Sequence, residues 1–173
     1  MTDHQISLFN RYDISVEFER HMGCVQRGMA AHWPQIADLD DDQLQGSYPA
    51  YICPLQIFPQ HAKFGEESDQ GSDRFVLKVP YQGDNVLWHL YPSKIVLGLS
   101  GEIFRGQLIL SHPATSQTAA KDNFERCLSE ILLVISQQRK RICLFEESLP
   151  SLVKAEAYRL RVSKASQFVG IWH

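Results

Sequence analysis

Between Trp88 and Lys94 the chain reads Trp-His-Leu-Tyr-Pro-Ser-Lys, which brings His89, Tyr91, Ser93 and Lys94 within six positions. These side-chain types act as general bases, general acids and nucleophiles in hydrolytic chemistry. A serine nucleophile also needs a base within hydrogen-bond reach and a nest of backbone donors, usually at a glycine-rich turn from strand to helix. Ser93 instead follows a proline and precedes an apolar run, where Tyr-Pro-Ser-Lys is ordinary loop chemistry. In an extended chain His89, Tyr91 and Ser93 share one face and Trp88 and Leu90 the other, the pattern of a sheet with a polar outer side. The stretch is therefore read chiefly as sheet surface. The alternative is a small hydrolase or nuclease using His89, Tyr91, Ser93 or Lys94, with Asp84 and Glu102 as the nearest acids. A magnesium-dependent nuclease of the restriction-enzyme kind would want Glu-x-Lys or Asp-x-Lys on a strand, and neither tripeptide accompanies those acids.

Metal and phosphate motifs are sparse. His21 and Cys24 lie three apart on an expected helix, but a site needs about four donors, or three and a water. His32 is too far along the axis to complete it and is expected to be buried or at the boundary of the core. The acidic run Asp38, Asp40, Asp41 and Asp42 lacks the glycine and terminal glutamate of a calcium loop. Neither GxxxxGK[ST] nor GxGxxG occurs, so no metal and no cofactor is expected. What remains is basic: Arg139, Lys140 and Arg141, followed by Arg159 and Arg161. If the chain folds back at Pro150, the two groups lie at similar distances from the turn and form one patch for a phosphate or an acidic protein surface. Nucleic acid is the alternative occupant, although no aromatic residues interleave for base stacking. Lys and Arg number 8 against 14 Asp and Glu over residues 1–120, and 9 against 6 over residues 121–173. The two ends thus differ in sign.

These groups must be held by elements that periodicity makes visible. From Asp13, a plausible N-cap, Ile14, Phe18, Met22, Val25, Met29 and Trp33 recur at spacings of three and four, which predicts an amphipathic helix ending at Pro34. An acidic connection with one short helical turn follows. Ala-Tyr-Ile-Cys-Pro-Leu-Gln-Ile-Phe has strand composition, and Pro54 assigns it to a sheet edge or a bulge. Residues 61–74 are polar and without period, which predicts a mobile loop. Alternation of Phe75, Leu77, Val79 and Tyr81 predicts a strand, Gln-Gly-Asp-Asn a turn, and residues 94–112 a hairpin turning at Ser100, Gly101 and Glu102. Asp122 and Glu125 resemble a capping box, after which Phe124, Leu128, Ile131, Ile135 and Ile142 form one stripe. Pro150 then either separates two helices or kinks a single one. The expected fold is one α+β domain, residues 1–173: an N-terminal helix, an antiparallel meander of about four to five strands, and two long C-terminal helices packed on the sheet.

At 173 residues, 44% hydrophobic and 21% charged, with net charge −3, the composition is that of an ordinary globular protein. No apolar run approaches the roughly 18 residues of a membrane span, and the N-terminus lacks a basic and then apolar leader. A cytoplasmic, unprocessed protein with no membrane contact is expected. Cys24, Cys53, Cys127 and Cys143 form no CxxC pair, and buried thiols are the expectation.

The layout resembles an uncharacterised module that begins several multidomain bacterial proteins associated with phage defence. The residues that carry the likeness are Leu-Tyr-Pro-Ser at 90–93, Leu-Ile-Leu at 108–110, Asp-Asn-Phe-Glu from 122, and Ser-Leu-Pro-Ser-Leu-Val-Lys-Ala-Glu-Ala-Tyr-Arg-Leu-Arg at 148–161. The resemblance implies a module that ordinarily precedes an effector and here stands without one. It implies a non-enzymatic interaction or regulatory role, through a protein partner or a second copy of the chain.

Overall fold

The computed structural model describes residues 6–69, 72–92, 98–113 and 115–169. The fold is α+β, and internal packing divides the chain into two compact units, Met1–Ile14 with Ile52–Arg141, and Ser15–Tyr51 with Ile142–His173. The helices are α1 (Ser15–Ala31), α2 (Trp33–Ile36), α3 (Asp41–Ser47) and α4 (Gln117–Val169). The first three belong to the second unit, while α4 gives its residues up to Arg141 to the first. No helix among the described residues is long and apolar enough to cross a membrane.

Among the described residues the first unit has eight strands: β1 (Ile6–Ser7), β2 (Tyr12–Asp13), β3 (Gln56–Ile57), β4 (Lys63–Asp69), β5 (Ser72–Gln82), β6 (Leu90–Tyr91), β7 (Ser100–Phe104) and β8 (Gln107–Pro113). An antiparallel sheet runs β1-β7-β8-β5-β3, with β4 also paired to β5, and β2 pairs with β6 in a separate parallel ribbon. The order is not a simple meander, because β8 returns to lie against β5. Register sets Leu77 opposite Leu110 and Val79 opposite Leu108, so these side chains share one face. Val79, Leu108, Leu110, Trp88, Leu87, Phe124 and Ile131 are among the buried residues of this unit. The short β3 lies at the sheet's edge, as Pro54 predicted.

In the sheet, two segments differ from their sequence reading. The polar stretch expected as a loop is β4, paired residue for residue with β5 from Lys63↔Lys78 to Asp69↔Ser72. It is held by backbone pairing, by Lys78 and Arg74 on Glu67 at 2.8 and 3.7 Å, and by Phe64 stacked on Phe75 at 5.6 Å. A strand that stays exposed needs no apolar alternation, and periodicity alone therefore misses it. The hairpin expected to turn at Ser100, Gly101 and Glu102 turns at Arg105 and Gly106, whose φ values are +48° and +75°. Two consecutive positive φ angles match the twist of the flanking strands. Gly101 lies within β7, where a Cβ would meet the Ile109 carbonyl oxygen at 3.2 Å. It is a close-approach glycine in a strand and not a turn residue.

Helix α4 begins at Gln117, with the Ser116 hydroxyl accepting from the Ala119 N–H at 3.4 Å, five residues before the capping box expected at Asp122. Of the predicted stripe, Phe124, Ile131, Ile135 and Ile142 are buried and Leu128 is half-buried. The expected pair of C-terminal helices is one helix with Pro150 inside it. An interior proline lacks the N–H that the residue four back would use, a penalty of about 3 kcal/mol. Burial of Phe145, Leu149, Val153, Ala157 and Leu160 in the second unit at spacings of three and four opposes that penalty.

In the second unit Phe18 of α1 stacks on Phe145 with centroids 4.5 Å apart, and Val25, Met29, Trp33, Ile36 and Leu44 are buried. Asp40 caps α3 through a box with Gln43, the short helical turn expected in the acidic connection. Asp13, expected as the N-cap of α1, belongs to β2 in the first unit, two residues before the helix begins at Ser15. Cys24, Cys53 and Cys143 are exposed, and Cys127 is partly so, where buried thiols were expected.

Candidate functional site

Ser93 and Lys94 lie outside the described residues. His89 ends a turn of 3-10 helix, Asn85–His89, and Tyr91 follows in β6, so the stretch is not one extended strand. Burial first, and then Arg11, hold the His89 imidazole below its ordinary pKa. Among the described residues no hydrogen bond joins His89 to a hydroxyl or a carboxylate. Asp84 is engaged elsewhere, accepting the Cys53 N–H at 2.8 Å, and Glu102 lies on β7. No group of three His, Cys, Asp or Glu residues among the described residues is arranged to hold a metal ion. His32 is exposed, with Nδ1 2.9 Å from the Gly28 carbonyl oxygen.

One turn of α4 in the first unit is densely committed. Gln138, 1% exposed, donates Nε2 to the carbonyl oxygens of Leu87 and Leu90 at 2.8 and 2.6 Å. Arg139 donates Nε and Nη2 to the Leu55 carbonyl oxygen at 3.0 and 2.8 Å. Arg141 donates Nη1 to Asp13 at 2.9 Å and to the Pro92 carbonyl oxygen at 2.6 Å. Three polar anchors within four residues, Gln138, Arg139 and Arg141, thereby tie the loop before β3, the chain around β6, and β2 to one helix. Each carbonyl is reached over 48 or more residues of sequence, so no local signal announces the arrangement. Gln138 was the residue that sequence reading missed, since a glutamine on a helix gives no sign of being buried.

In the second unit, Arg159 lies on the buried carboxylate of Glu156, with Nε at 3.0 and 3.1 Å from its two oxygens. Arg161 reaches the Leu39 carbonyl oxygen at 3.3 Å. The hairpin that was to bring Arg159 and Arg161 beside Arg139, Lys140 and Arg141 is absent, because α4 continues through Pro150.

A groove of about 440 Å³ opens in the first unit between α4 and β3. Leu132, Ile135, Ser136, Arg139 and Lys140 line it from the helix at spacings that share one face, and Gln56 and Ile57 line it from the edge strand. Ile57 and Ile135 are buried, whereas Ser136, Arg139, Lys140 and Gln56 are exposed. In the second unit α4 leaves Leu144 65% and Tyr158 69% exposed, and in the first Leu132 45% and Leu133 58%. Comparison with known protein families, with curated proteins and with solved structures gives no match for the chain.

Proposed function

We propose that the protein is a non-enzymatic interaction module that acts through association with a protein partner or a second copy of itself, using the outward face of α4. The observation that carries the reading is the exposure of Leu144 and Tyr158 in the second unit, fourteen residues apart, with the small, exposed Ser151 midway. Positions seven apart recur on one face of a helix, and tyrosine is among the residues that most often anchor interfaces. Leaving two such side chains about two-thirds exposed forgoes burial worth on the order of 1–2 kcal/mol each. A role in bacterial defence follows the resemblance of residues 90–161 and belongs to the same proposal.

Light scattering across a concentration series tests it. The wild type should associate, and Leu144→Glu with Tyr158→Glu should return it to a folded monomer. A wild type that stays monomeric throughout, and from which no specific partner is recovered that the double variant fails to hold, overturns the proposal.

A further inference from the structure

We infer that the groove between α4 and β3 binds a small organic phosphate, its anionic head held by Arg139 and Lys140 and its apolar body lying on Ile57, Ile135 and Leu132. Arg141 is taken by Asp13, Arg159 by Glu156, and Arg126 by Glu130 at 3.1 Å. Arg139 and Lys140 make no ion pair among the described residues, they are adjacent, and they line the same groove. No carboxylate lines it with them. In a chain of net charge −3, two uncompensated cations in one concavity form a local field that favours an anion.

The donors are also prepared. A guanidinium carries five N–H groups. The Leu55 carbonyl oxygen accepts one from Nε and one from Nη2, which leaves three and fixes the plane in which they lie. An arginine whose rotamer is already set loses less entropy when it captures an oxyanion. Ser129 and Ser148 turn their hydroxyls back onto helical carbonyls, at 2.9 and 2.7 Å, whereas Ser136 makes no such bond among the described residues. Its hydroxyl and the Gln56 amide are further donors on the groove wall. A tetrahedral dianion accepts from several directions at once, which suits this convergent set better than a planar carboxylate does. The groove's volume falls in the range of small-molecule sites and exceeds what a phosphate alone would fill, and the apolar floor accounts for the remainder.

Phenyl phosphate, phenol, inorganic phosphate and an oligo-dT strand are the probes, titrated into the full chain while amide and side-chain NMR signals are followed. Phenyl phosphate should bind saturably at millimolar concentration or below, shift Gln56, Ser136, Arg139 and Lys140, and weaken as salt rises. Inorganic phosphate should bind at the same residues but more weakly, and phenol should not bind. Lys140→Gln removes a charge that anchors nothing else and should weaken phenyl phosphate about tenfold, as the loss of a charge-assisted hydrogen bond does. Ser136→Ala, a second variant that disturbs no bond of the fold, should weaken it less. The inference is overturned if phenyl phosphate produces no saturable shifts, if Lys140→Gln binds as the wild type does, or if only the oligonucleotide binds.

Discussion

Replacing Gln138 by leucine tests whether α4 anchors the first unit through its side-chain amide. The substitution keeps the side chain's size, and leucine has at least glutamine's helix propensity, so neither a cavity nor a frayed helix confuses the result. Two hydrogen bonds vanish. The Leu87 carbonyl oxygen retains the Leu90 N–H, which closes the 3-10 turn, so its loss is that of a typical bond, about 1 kcal/mol. The Leu90 carbonyl lies in a residue only 3% exposed, and an abandoned buried acceptor there carries a penalty of about 1–3 kcal/mol. Against this, Gln138 Oε1 is buried without a partner, and its removal returns up to about 1 kcal/mol. The net destabilisation is about 1–4 kcal/mol, a large share of the 5–15 kcal/mol that domains possess. Urea unfolding read by fluorescence, with the fully buried Trp88 as reporter of this unit, measures it. Lys140→Gln, two residues on and without a side-chain bond among the described residues, is the control and should change stability by less than about 0.5 kcal/mol. A Gln138→Leu protein within that same margin of the wild type would refute the anchoring role.

Arg141→Gln should destabilise the first unit by about 1–2 kcal/mol, since the half-exposed pair with Asp13 contributes little and the Pro92 carbonyl bond most; a cycle with Asp13→Asn should show a coupling below about 1 kcal/mol. Gly106→Ala should cost about 1 kcal/mol, because φ there is +75° and no neighbour crowds the position, while Arg105→Gly, at φ +48°, should stabilise by a similar amount in thermal melts. Burial, then Arg20, holds the His21 pKa below 6.5, so the unfolded chain takes up the proton first as pH falls. The stabilisation is full above about pH 6.5 and is lost as pH drops toward the folded value; His21→Phe, beside Phe145, should flatten that slope, and an unchanged slope would exclude His21 as its source.

The sequence by itself determined the elements whose burial is written in a local period. Helix α1, the apolar stripe of α4, strand β5 and the edge position after Pro54 all follow from residues a few positions apart. The α+β class follows from the same signals. Where solvent covers both faces, as along β4, the stabilising bonds belong to the backbone, and the side chains leave no period to read. The turn at Arg105 and Gly106 depends on dihedral angles that Ser-Gly-Glu and Phe-Arg-Gly promise about equally, until Gly101 is needed in the strand to admit Ile109 and Leu108. The basic run at 139–141 shows the limit most plainly. Its charges are visible in the sequence, but whether each faces a carboxylate, a carbonyl or open water depends on chain segments tens of residues away. Only the tertiary structure separates Arg139 and Lys140, which share a groove without a counter-charge, from Arg141, which Asp13 holds, because electrostatic partnership is decided by distance in space and not along the chain.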